Sequence, residues 1–62
     1  MTLNLTVPIK TLADREYIQR LDMWCNQQGI MLIVGFRQHD ATLSFNGEGQ
    51  AMIDLSTYLQ RR

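Results

Sequence analysis

The stretch "GIMLIVGF", residues 29–36, decides how the rest of the chain is read. Five large aliphatic residues follow Gly29, and a second glycine and Phe36 close the run. It is too short and too rich in β-branched residues for an independent helix, so the pattern predicts a strand over 30–36. Strand side chains alternate across the sheet, which sends Leu32, Val34 and Phe36 to one side and Met31, Ile33 and Gly35 to the other. Both sides of this strand are therefore apolar. The question it raises is what the remaining chain can place against each of them.

Gly29 is the punctuation before the strand, because a left-handed position after the last helical turn costs glycine least. Upstream, Thr11-Leu12-Ala13-Asp14 has the spacing of a capping box. From there Tyr17, Ile18, Leu21, Trp24 and Cys25 recur at helical spacing, with Arg15, Glu16, Gln19, Asp22 and Asn26 on the opposite side. Before the helix, Thr2 to Val7 alternates strictly, with Leu3, Leu5 and Val7 on one face and Thr2, Asn4 and Thr6 on the other, and Pro8 ends the strand. Downstream, Arg37-Gln38-His39-Asp40 reads as a turn and Ala41 to Phe45 as a third alternating strand. Asn46-Gly47-Glu48-Gly49 breaks it. A final helix carries Ala51, Met52, Leu55, Tyr58 and Leu59 on one face, and Arg61 and Arg62 stand at the C-terminal end, where cations suit the helix dipole.

The expected fold class is α+β: a single β-α-β-β-α domain over residues 1–62. Strands two and three form a hairpin, the first strand pairs with the third, and the antiparallel sheet has the order 1-3-2 with both helices on one face. The element order resembles most of a ferredoxin-like arrangement with its last strand missing, and that architecture by itself implies no function. The expected core comprises Leu3, Leu5, Val7, Tyr17, Ile18, Leu21, Trp24, Leu32, Val34, Phe36, Leu43, Phe45, Met52, Leu55, Tyr58 and Leu59. Chains of this size bury only roughly 60% of their unfolded surface. Two helices cover one face of such a sheet, and no chain is left for the other.

Composition narrows the function classes. Six Lys and Arg balance six Asp and Glu, neither sign forms a block, and no field gathers phosphate or lipid headgroups. With 45% hydrophobic and 19% charged residues, the chain reads as folded rather than disordered. One cysteine permits no intramolecular disulfide, which suits a reducing, cytoplasmic setting. No secretory leader or membrane span is visible. A chain this short, opening at its own Met1, fits the small regulators and inhibitors that bacteria and their phages encode.

Few residues suggest chemistry. Arg37, His39 and Asp40 at the hairpin tip form the only cluster resembling an acid–base set and are the basis of an alternative reading as a small enzyme or toxin. Cys25, on the buried face of the first helix, reads as a small hydrophobe with a raised thiol pKa rather than a nucleophile. One His and one Cys supply no zinc set, and no cofactor is implied. Gly47-Glu48-Gly49 lacks the completion of a phosphate-binding loop. A third reading, nucleic-acid binding through Lys10, Arg15 and Arg20 on the first helix, is opposed by Asp14, Glu16 and Asp22 on the same surface, and the outward sheet face lacks the aromatics of an RNA-binding sheet.

The leading expectation is a non-enzymatic protein-binding module, with a homodimer as its first form. Its interface is expected to comprise Met31, Ile33, Gly35 and Arg37 on the second strand, an edge in the proposed order, with Met23 and Ile53 on the outer faces of their helices as candidate contacts for a second surface.

Overall fold

The computed structural model describes residues 1–61; Arg62, one of the two expected C-terminal cations, lies outside the described residues. The elements run β1 (Thr2–Pro8), α1 (Leu12–Gln28), β2 (Met31–Phe36), β3 (Asp40–Asn46) and α2 (Gln50–Gln60). The three strands form one antiparallel sheet in the order β1-β3-β2, as the sequence predicts. β3, the most regularly alternating strand, is central and buries Ala41, Leu43 and Phe45 beneath the helices.

Local chemistry sets the helix boundaries. At the start of α1 the Asp14 carboxylate accepts hydrogen bonds from the backbone N–H groups of Lys10 and Thr11, at 2.8 and 3.0 Å, fixing the first turn. At its end Gly29 adopts φ +77, the left-handed cap that the sequence places there. The N–H of Ile30 then donates to the Cys25 carbonyl and turns the chain into β2. Ile18, Leu21 and Cys25 of α1 and Met52 and Leu55 of α2 are buried against the sheet. Trp24 and Tyr58 stack with ring centroids 4.5 Å apart, tying one helix to the other.

The ladder has a parity that matters for the free edges. Ile9 N–H donates to the His39 carbonyl, Gly47 N–H to the Met1 carbonyl, and Arg37 N–H to the Asp40 carbonyl. Hydrogen-bonded pairs alternate along antiparallel strands, so in the observed registers the odd residues of both β1 and β2 bond to β3. The even residues direct their backbone groups outward. On β1 these are Thr2, Asn4, Thr6 and Pro8, and proline sits where its missing N–H breaks no ladder bond. On β2 they are Leu32, Val34 and Phe36.

Three residues expected in the core are instead exposed: Leu3 at 38%, Leu5 at 36% and Phe36 at 57%. All face the helical side, but each belongs to an edge strand with a strand neighbour on one side only. Phe36 is also the last residue of β2, where the residue above it on α1 is Arg15, with its guanidinium carbon 5.5 Å from the ring centroid. Ile30 and Ala41, absent from the expected core, are fully part of it; Ile30 lies against Gly47, where an added Cβ would come within 3.1 Å of its Cγ1.

Phe45→Ala is expected to cost about 3–5 kcal/mol, a large share of the total of roughly 3–9 kcal/mol that 0.05–0.15 kcal/mol per residue allows a chain of this length. Leu5→Ala, at a partly exposed edge position, is expected to cost less than about half as much. Urea unfolding of the two variants measures the difference.

Candidate interface on the second strand

The outward face of the sheet has two characters. Rows across it follow from the registers: Thr2, Asn46 and Met31; Asn4, Ser44 and Ile33; Thr6, Thr42 and Gly35. β1 and β3 contribute hydroxyls and amides. β2 contributes Met31, 62% exposed, and Ile33, 61% exposed. The sheet is thus polar at one edge and apolar at the other, and no element of the described chain covers either.

Gly35 has a specific geometry beside these residues. A Cβ built on it would lie 2.9 Å from Thr42 Oγ1, and that hydroxyl donates a 3.4 Å hydrogen bond to the Gly35 carbonyl. Any larger residue would displace the Thr42 hydroxyl, and the bare position leaves a shallow depression next to Ile33 floored by Thr42 and Ser44. Arg37 continues the same face by parity. Its Nε lies 3.2 Å from Asp40 Oδ1, an ion pair across the hairpin mouth. That oxygen is enclosed and has no aligned hydrogen-bond donor, so the attraction is one of charge. Met23 and Ile53, the candidate contacts for a second surface, are exposed on the helices, on the opposite side of the sheet from the other four.

The helical side of β2 is also incompletely covered, which sequence reasoning missed. Leu32 and Val34 are half-buried and Phe36 is mostly exposed, and with Arg15, Gln19 and Asp22 of α1 they line an open groove along the strand. Alternation correctly assigns the apolar residues to this side. The available signal was the spacing of Arg15, Gln19 and Asp22, which lines the flank of α1 beside the edge strand with polar residues. β2 therefore presents apolar side chains on both faces of a free edge, the combination that natural sheets usually blunt with charge or proline. β1, the other free edge, carries Pro8 and polar outward residues.

The remaining clusters are arranged less favourably for chemistry. Arg37 and Asp40 engage each other, and His39 is exposed at the tip. Arg15 and Arg20 lie roughly 140° apart around α1 at 100° per residue, so they do not form one basic stripe. Among the described residues no three His, Cys, Asp or Glu side chains gather as a metal site requires, and no helix is long and apolar enough to cross a membrane. Compared with protein families, curated proteins and solved structures, the chain matches none.

Cys25 is fully buried, and burial, reinforced by the negative charge of Asp22, pushes its thiol up to about 11. An unfolded chain ionises this thiol first, so the native state holds the extra proton and stability falls as pH rises from about 9 to about 11. Cys25→Ala is expected to flatten the pH dependence of the melting temperature in that window, and native Cys25 is expected to react with a thiol reagent at pH 8 only as fast as the chain opens.

Proposed function

We propose that the protein is a small non-enzymatic binding module, a regulator or inhibitor that works by laying the free edge and outward face of β2 against another polypeptide. The observation that carries this reading is the pairing of exposed Met31 and Ile33 with unpaired backbone groups on the same strand. β-Augmentation uses these two features together, since backbone hydrogen bonds give attachment and alternate side chains give specificity. Full burial of Met31 and Ile33 contributes about 3–6 kcal/mol together, which reaches only the lower part of the roughly 4–15 kcal/mol cost of association. Strand pairing and the groove beside α1 must add to it. A cytoplasmic setting goes with this reading, since the single cysteine is buried and forms no intramolecular bridge.

Ile33→Lys places a charge at the centre of the proposed surface while leaving the helical core untouched. It is expected to weaken association by at least about tenfold, some 1.4 kcal/mol, with little change in melting temperature. Sedimentation and thermal unfolding of the same samples test this. Lost thermal stability with unchanged association would mean that Ile33 supports the fold and not an interface.

A further inference from the structure

We infer that the partner best matched to this edge is a second copy of the same chain, joined β2 to β2 about a two-fold axis at Val34. The inference rests on the reading of β2 as an interface and goes beyond it by fixing occupant, register and charge pairing.

The register follows from parity. Only Leu32, Val34 and Phe36 offer backbone groups to the free edge; at one end the Ile30 N–H is committed to Cys25, and at the other the Arg37 N–H to Asp40. An antiparallel pairing of two identical strands that uses all three sets Val34 against Val34 of the second copy and Leu32 against Phe36 in both directions. Each such pair exchanges two bonds, giving roughly six hydrogen bonds. Moving the axis to Ile33 or Gly35 leaves one of the three residues of each copy facing committed or loop backbone.

The side chains agree with that register on both faces. On the outward face Ile33 comes opposite Gly35 of the second copy, which sets no side chain of its own against it. On the helical face the match is electrostatic. α1 runs antiparallel to β2, with Arg15 over Phe36 and Asp22 further along the same groove towards Leu32. The separation of Arg15 from Asp22 is roughly 10 Å of helix, similar to the roughly 13 Å between Phe36 and Leu32 along the strand. The two-fold brings Phe36 beside Leu32 of the other copy, and so sets Arg15 of each copy beside Asp22 of the other. The surface is self-complementary, as an isologous dimer requires. The product is a continuous six-stranded sheet with α1 of each copy flanking the axis.

Charge reversal tests the register directly, using sedimentation equilibrium of the full chain with circular dichroism as a control for folding. The wild type is expected to be a dimer in the micromolar range. Arg15→Asp and Asp22→Arg each replace two attractions by two repulsions and are expected to weaken self-association about tenfold. Mixing these two variants restores association, because every aspartate then faces an arginine in the heterodimer; the double variant Arg15→Asp/Asp22→Arg restores it likewise. Failure of the mixture to recover, with the wild type dimeric, overturns the register. In that case loss of the dimer in Ile33→Lys retains β2 as the interface, and persistence of the dimer in Ile33→Lys overturns the interface as well. A wild type that stays monomeric throughout overturns the second copy as occupant and leaves β2 to a different polypeptide.

Discussion

A three-stranded sheet has two faces, and this chain has helix enough for one. α1 and α2 stack through Trp24 and Tyr58 and bury the inward residues of β3, so the central strand receives nearly all the apolar cover available. The edge strands receive the remainder unequally. On the outward face β1 meets its exposure with threonine and asparagine and on the helical side only with the marginally exposed Leu3 and Leu5, whereas β2 exposes Met31, Ile33 and Phe36 far more fully, on both faces. The asymmetry between the two edges, more than any cluster of reactive groups, gives this molecule a distinguishable surface.

The fold was legible because its strongest signals are local. Strict alternation in β1 and β3, the Thr11–Asp14 spacing and Gly29 each have one reading, and once three strands and two helices are placed, the apolar faces permit few arrangements. What alternation could not show is how far the helices reach. Phe36 has the right parity for the core, yet it stands at the end of its strand beneath a charged residue of α1. Leu3 and Leu5 have the right parity too, but they occupy an edge. Side-chain direction is a property of one element, and burial depends on what the neighbouring elements cover.

The candidate surface was legible to the same degree. Met31, Ile33 and Gly35 follow from counting what covers β2, and the structure places them in adjacent rows on one face. Met23 was legible only as an outward helical position, because the 100° rule does not say which neighbouring surface such a position shares. The groove of Arg15, Gln19 and Asp22 beside β2 depends on how α1 lies along the strand, which no spacing in a single helix records.

The apolar character of β2 on both sides also bears on how the hairpin finds its alignment. In most half-buried strands, slipping by one residue turns greasy side chains to water and is rejected at once. Here such a slip exchanges Leu32 and Val34 for Met31 and Ile33, one aliphatic set for another, and burial alone discriminates weakly. Gly35 supplies the missing discrimination. A slip the other way sets Gly35 in the place that Val34 fills and leaves a void under the helices, and either slip gives up the native alignment in which its bareness admits the Thr42 hydroxyl. A residue with no side chain thus acts as the positional mark of the strand, and the Arg37–Asp40 pair closes the hairpin at the matching place.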